Sequence, residues 1–383
     1  MARLDEETRL YRCPMVAAPL PPPAIEQPAP YQVSFGLVSG VAARGTRRVV
    51  VSASGRTLAD APLRGRRFTL HVRLPSGELA VRVTTIAAGG RRSSGVVSDV
   101  FGLPASATPR FVRARNDPVL ARRLRAELRR YAGTSAVYIQ SLTGGTGAAW
   151  NARARFPAAS TLKLAIAATV LSRHSGIPAP GSYVGALLRQ MIVPSDDRAA
   201  NALLVWLGGS TSSGGQRVNE LMGSLGLRDS LMYGGYEVRG LSSAIPVRVE
   251  ERPAFGVGKY TTAWDMASLH RAIWLAAGNK GRLRTAQRGF TAADGRHLLW
   301  LLAHVRDTPK LDRFVGRGRG VVVLHKAGWI TAARHDTGLV FWSGGVFVAS
   351  VMTWRPYGVG PSSDVLAGRC AQVALARFLR RHR

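Results

Sequence analysis

The stretch Phe156-Pro157-Ala158-Ala159-Ser160-Thr161-Leu162-Lys163-Leu164-Ala165-Ile166-Ala167 constrains this chain more than any other. A serine opens an apolar helix, and a lysine follows three residues later. Positions i and i+3 share a helix face, so the Lys163 amine can reach the Ser160 hydroxyl. A serine hydroxyl is a weak nucleophile until a nearby base takes its proton, and a desolvated lysine can be neutral enough to do so. Unpaired backbone N–H groups at a helix N-terminus also suit an oxyanion. The same residues describe an N-capping serine with a surface lysine one turn on. The four-residue pattern is common, and alone it does not separate the two.

With 383 residues, the chain is long enough for two domains and a sizeable core. Its 46% hydrophobic and 20% charged residues fit a globular chain. No run reaches the roughly 18 apolar residues that span a bilayer. The net charge is +31, yet only five lysines are present, so arginine supplies most of the 53 basic residues. The arginines are spread along the chain, which reads as compositional bias rather than a dedicated surface. Such a field still attracts polyanions, whether nucleic acid, anionic lipid or cell-wall polymer. No zinc finger, RNP-type aromatic motif or recognition helix supports specific nucleic-acid readout. Cys13 and Cys370 make neither a disulfide framework nor a metal site, and no metal or cofactor is expected. Residues 1–25 lack a signal peptide of ordinary form: Asp5, Glu6 and Glu7 are acidic, and the apolar run Met15–Leu20 is short.

Residues 1–30 are proline-rich and read as a disordered tail. From 31 to 104 the pattern alternates. Phe68, Leu70, Val72 and Leu74 alternate, Pro75-Ser76-Gly77 turns, and Leu79, Val81 and Val83 alternate back, which predicts a hairpin. Other short strands flank it, suggesting a small all-β sandwich of immunoglobulin-like type. Residues 105–116 read as a linker. From 117 to 383, a helix capped at Asp117-Pro118 precedes two strands, a helical block, three strands and a closing helix from Ser363. That order predicts an α/β sandwich with an antiparallel sheet. Within the helical block, one helix is expected at Gln216–Gly226. His270 and His297 fall on amphipathic helices and read as structural, and Asp265 as a cap or partner within its own helix.

Three motifs then occur in order: Ser160-Thr161-Leu162-Lys163, Ser195-Asp196-Asp197 and Lys326-Ala327-Gly328. With Arg198-Ala199-Ala200-Asn201 after the second and Tyr260-Thr261-Thr262-Ala263-Trp264-Asp265-Met266 downstream, residues 117–383 resemble the class A β-lactamase and penicillin-binding-protein superfamily of active-site serine enzymes. The resemblance implies that Ser160 is the acylated nucleophile and Lys163 its general base. Ser195 would relay a proton to the leaving nitrogen, and Lys326 would hold a substrate carboxylate. The oxyanion hole would use the N–H groups of Ser160 and of Trp329, the residue after the third motif. Arg334 is a candidate carboxylate clamp, or else a solvated strand-end arginine.

The departures from that pattern shape the expectation. Asp197 replaces an asparagine; ionised, it has no donor for a substrate carbonyl, but it can pair with Lys163, raise its pKa and weaken it as a base. Ala327 replaces a threonine and removes a hydroxyl that helps bind a carboxylate. The chain between Ser160 and Ser195 is short, which reduces one rim of the cleft. The stretch 227–240 offers only Asp229 and Glu237 for the deacylating carboxylate, and Glu237 is the candidate. The function implied is a serine hydrolase acylated by a β-lactam or related amide. The alternatives are a D,D-peptidase-like protein acting on peptidoglycan stem peptides with slow deacylation, and a weakened cell-wall binding protein. An extracytoplasmic setting follows from the resemblance.

Overall fold

The structure, a computed structural model, describes residues 19–236, 258–316 and 320–380. Cys13 and Glu237 lie outside the described residues. Eight strands come first: β1 Ala24–Gln27, β2 Gln32–Ser34, β3 Leu37–Val41, β4 Thr46–Ala53, β5 Arg56–Pro62, β6 Arg67–His71, β7 Gly77–Ala87 and β8 Arg92–Gly102. They make a three-stranded sheet, β1-β3-β6, and a five-stranded sheet, β2-β8-β7-β4-β5. Val38, Phe68 and Val72 from the first meet Val49, Val51, Val81 and Val83 from the second in one apolar core.

The expected hairpin is corrected here. β6 pairs with β3, and β7 pairs with β4 and β8, so the turn at Pro75–Gly77 crosses between sheets. Both strands alternate because both point apolar residues into the same core, and alternation names a buried face without naming a partner. β1 also lies inside the stretch expected to be tail, held by antiparallel pairing to β3.

Beyond these strands the chain crosses Ala105–Ala107, where the Ala107 carbonyl accepts from Trp274 Nε1 at 2.9 Å. The segment read as a linker is thus packed on the larger body. There β9 Arg115–Asn116, β10 Thr134–Ser141, β11 Thr146–Trp150, β14 Val322–Ile330, β15 Ala333–Trp342 and β16 Gly345–Trp354 form a sheet in the order β14-β15-β16-β10-β11-β9. All pairs are antiparallel except β9 with β11. A two-stranded ladder joins β12 Phe156–Pro157 to β13 Tyr260–Thr261.

Two helices cover one face of the large sheet, α1 Pro118–Leu128 and α9 Pro361–Arg380, through Leu120, Leu124, Leu366 and Phe378. Asp117 caps α1, accepting from the N–H groups of Val119 and Leu120 at 3.1 Å. The other face carries α2 Lys163–Arg173, α3 Tyr183–Ile192, α4 Asp197–Gly208, α5 Thr211–Leu225, α6 Ala263–Ala277, the short α7 Arg282–Ala286 and α8 Ala292–Ala303. This is the α/β sandwich the element order predicted, with helices on both faces of the sheet. α5 begins five residues before the expected Gln216. Gly214 lies in the added turn, where a Cβ would lie 2.0 Å from the Leu204 carbonyl oxygen. The glycine permits α4 and α5 to approach, rather than ending a helix.

The first eight strands rest on α8. Tyr31 stacks edge-on against Trp300 at 5.4 Å, Arg296 Nε donates to Gln32 Oε1 at 2.7 Å, and His297 Nδ1 lies 2.8 Å from the Tyr31 carbonyl. His297 is therefore structural, as its helix position suggested. Deeper in the larger body, burial pulls His270 of α6 down to about 3 and His335 of β15 to about 4. Both are neutral in the folded protein, whereas the unfolded chain takes up their protons as pH falls through about 6.5. Their contribution to stability is complete above that value and is lost toward pH 4. The urea midpoint should therefore fall steadily from pH 7 to 4.5, and His270→Leu should flatten that fall; an unchanged slope in the variant would contradict the assignment.

Candidate active site

Ser160 sits on a 3₁₀ turn, Ala159–Leu162, and α2 begins at Lys163. The structure therefore differs from the expected helix opening at Ser160. In a 3₁₀ turn residues i and i+3 eclipse, which keeps Ser160 and Lys163 on one side. β12 holds the turn through β13, and the Ala158 N–H donates to the Lys259 carbonyl at 2.9 Å. From behind, His335 Nε2 donates to the Pro157 carbonyl at 2.7 Å while its Nδ1 accepts from the Thr353 N–H at 3.2 Å. β14 closes the front. A Cβ on Gly328 would lie 2.7 Å from the Ser160 nitrogen and 2.8 Å from the Thr161 nitrogen. The third motif thus needs glycine because the strand presses on the N–H groups of the serine turn.

Every residue of α2 from Lys163 to Ser172 is buried, so the Lys163 amine has no access to bulk water. It donates to the Ser195 carbonyl at 2.5 Å, to Asp197 Oδ1 at 2.6 Å and to Ser195 Oγ at 3.3 Å. Three donors meet three acceptors, which is the bonding of an ammonium. The pairing expected between Asp197 and Lys163 is present. Asp197 raises the Lys163 pKa as expected, but burial pulls it down by more, and the net shift is downward.

Lys326, fully buried on β14, donates to Ser195 Oγ at 2.8 Å and to the Ala327 carbonyl at 3.0 Å. Burial first, then the Lys163 charge, brings its pKa to about 7. The Ser195 hydroxyl therefore joins two amines. Ser195 has a φ of +66°, a left-handed conformation costly for a non-glycine residue. It is held there by the Asp196 N–H on the Gln190 carbonyl at 3.0 Å and by Asp196 capping α4 through the Ala199 N–H at 2.6 Å.

The remaining sequence candidates divide. Trp329 follows Gly328 on β14, its side chain 61% exposed. Ala327 is buried. Arg334 is neither a free clamp nor a solvated arginine: its Nε and one terminal nitrogen grip Asp364 of α9 at 2.7 and 2.6 Å. That edge of the fork is turned onto the protein, and α9 is too distant in sequence for the strand pattern to reveal it. Asp229 pairs with Arg153 at 2.9 Å. Asp265 reaches out of its helix to the Asp229 N–H and the Ser230 hydroxyl, at 2.9 and 2.8 Å, rather than pairing within it. Among the described residues no group of His, Cys, Asp and Glu could hold a metal ion.

Sequence reasoning missed Tyr236, Lys259 and Asp336 as parts of the site, and it used Asn201 and His325 only as residues of the resemblance without giving them partners. His325 Nδ1 lies 2.8 Å from Asp336 Oδ1; burial opposes its charge, but Asp336 more than offsets this and raises its pKa. One sequence signal existed for Lys259. In a chain that otherwise uses arginine, a lysine is the rarer cation, and Lys259 is one of only five.

The sequence model described as "Beta-lactamase enzyme family" matches residues 118–176 and 177–378. No curated protein matches the chain. Among solved structures, a β-lactamase from Sphaerobacter thermophilus is 23% identical with a TM-score of 0.51, over 67% of this chain and 96% of its own. PBP-A is 19% identical with a TM-score of 0.56, over 71% and 100%. A class A β-lactamase from Mycobacterium abscessus is 18% identical with a TM-score of 0.54, over 68% and 99%. At these identities the likeness is one of fold.

Two substitutions test the geometry. Gly328→Ala should cost about 1–3 kcal/mol of stability, because the strand must move off the serine turn, and should lose labelling by a fluorescent penicillin. Asp197→Asn removes the anion that favours the Lys163 ammonium, so the pH midpoint of labelling should move down by about one unit. A midpoint that stays or rises would contradict the pairing.

Proposed function

We propose that this chain, which belongs to the Beta-lactamase enzyme family, is acylated at Ser160 by a β-lactam or related amide and releases the acyl group slowly. The observation that supports this reading best is the Ser195 hydroxyl, shared between Lys326 and Lys163 beside the serine turn. In molecules whose Lys163 amine is neutral, Ser160 Oγ attacks the carbonyl carbon and its proton passes to that amine. Backbone N–H groups of Ser160 and Trp329 take the oxyanion. As the C–N bond breaks, Ser195 gives its proton to the leaving nitrogen and is reprotonated from the lysine pair. The proton lost by Ser160 is thus matched by the one gained by the leaving nitrogen, and Lys163 is again neutral, as it was before the attack.

Two features favour slow chemistry. Asp197 favours the ammonium form of Lys163 and so works against the burial that would free the amine as a base. Ala327 brings no hydroxyl to a substrate carboxylate, leaving Lys326 alone for that task. Hydrolysis of the acyl group needs a carboxylate to activate water, and Glu237 is the residue proposed for it. Of the two carboxylates that follow Ser195, Asp196 caps α4 and Asp197 is already engaged by Lys163. Slow release favours a D,D-peptidase-like protein that meets β-lactams or peptidoglycan stem peptides, which implies an extracytoplasmic setting. No helix among the described residues is long and apolar enough to cross a membrane. The division at 31–104 and 117–383, with an immunoglobulin-like accessory unit, belongs to the same proposal; two sheets enclosing one core support it.

Intact mass after incubation with a β-lactam panel tests the reading. One adduct per chain should form and persist, and Ser160→Ala should reduce its formation at least about a thousandfold. An adduct that survives the substitution would sink the assignment to Ser160. Rapid turnover of a chromogenic cephalosporin would sink the slow release, and binding to insoluble peptidoglycan without acylation by any probe would favour the weakened cell-wall binder.

A further inference from the structure

Lys259 and Tyr236 lie outside the three motifs, yet both sit against Lys163. Lys259 immediately precedes β13, and its carbonyl takes the Ala158 N–H of the serine turn. Its amine turns inward, donating to the Gly235 carbonyl at 2.5 Å and more weakly to the Tyr233 carbonyl at 3.4 Å. There it rests 4.5 Å from the centroid of the Tyr236 ring, while the Lys163 amine lies 4.8 Å from the same centroid. The two amines are therefore within about 9 Å of one another. Tyr236 is 5% exposed and fixed by its backbone: its N–H donates to Asn201 Oδ1 at 2.6 Å, and its carbonyl accepts from Asn201 Nδ2 at 2.8 Å. An aromatic face attracts an ammonium group, so one rigid ring steadies two cations, Lys163 buried and Lys259 half-buried.

We propose that Lys259 is a positioning residue of the Ser160 site, anchoring the ring on which the Lys163 amine rests and repelling the positive charge of that amine. The proposal rests on the reading of Ser160 as the acylated residue. The groups facing Lys259 are the Tyr236 ring, the Tyr233 and Gly235 carbonyls, the Asp197 carboxylate, which favours its charge, and Lys163, which opposes it. Burial outweighs these and brings Lys259 to about 8, so it is mostly charged at neutral pH. Coupling between two charges is reciprocal: what Lys163 does to Lys259, Lys259 does to Lys163. Asp197 and Lys259 thus act on Lys163 in opposite directions, one holding its proton and the other helping to release it.

The chain has only five lysines, so selective ¹³C labelling at lysine Cε gives five signals, assignable by single substitutions. Lys259→Met should move the Lys163 titration to higher pH by about one unit, as expected for losing a like charge at this distance. Lys259→Arg, which keeps the charge, should restore the wild-type midpoint. The pH profile of penicillin labelling should shift in the same direction as the titration. An unchanged Lys163 midpoint in Lys259→Met overturns the proposal. If that variant does not fold, Lys259→Gln keeps a donor for the Gly235 carbonyl and makes the same charge test with the same two outcomes. A wild-type protein that no β-lactam labels would instead overturn the reading of Ser160, while the lysine titration would still decide the role of Lys259.

Discussion

Buried amines crowded around one hydroxyl are unstable unless something takes up their charge, and much of this molecule's larger body is arranged to do so. Moving an ammonium out of water costs several kcal/mol even after the protein relaxes. Lys163 recovers part of that through the Ser195 carbonyl and Asp197, and Lys326 through the Ala327 carbonyl and the Ser195 hydroxyl. The balance is incomplete, which is why Lys326 sits near neutrality. The left-handed backbone at Ser195 belongs to the same balance. It costs about 1–3 kcal/mol, and it presents both carbonyl and hydroxyl to the lysines.

The sheet behind the site keeps these distances fixed. Thr337 on β15 accepts from His270 Nε2 and donates to the Lys326 carbonyl, at 3.0 and 3.3 Å. His325 next to Lys326 is locked on Asp336, whose other oxygen accepts the Leu311 N–H at 2.9 Å. The strand that carries Lys326 and Gly328 is thus pinned from its neighbouring strand and from the loop beneath it. α2 is buried along its length, so Lys163 cannot swing toward solvent to escape its neighbours. Rigid packing turns a weak sequence pattern into fixed chemistry.

Much of this was legible in the sequence. The order of helices and strands from 117 onward followed from apolar periodicity and caps, because those signals are local. Ser160, Lys163, Ser195 and Lys326 stood out because each lay in a short motif. Other readings failed where the partner was remote. Phe68–Leu74 and Leu79–Val83 alternate as a hairpin would, but they belong to two sheets that share one core. Arg334 faces Asp364, thirty residues away on another element. Lys259 reaches Tyr236 only because the chain returns to the serine turn at β13.

By itself, the sequence determined which chemistry was available: a serine and a lysine one turn apart, a second serine, a second lysine, and an aspartate in place of an amide. It also determined that helices would cover a sheet, since the apolar residues repeat with the two required periods. Only the tertiary structure decided where each amine spends its protons. It turned Lys163 onto Asp197 and Ser195, placed Lys326 on the same hydroxyl, and brought Lys259 up behind one tyrosine ring. The physical reason is that protonation depends on burial and on distances of a few ångströms, and those are set by folding, not by spacing along the chain.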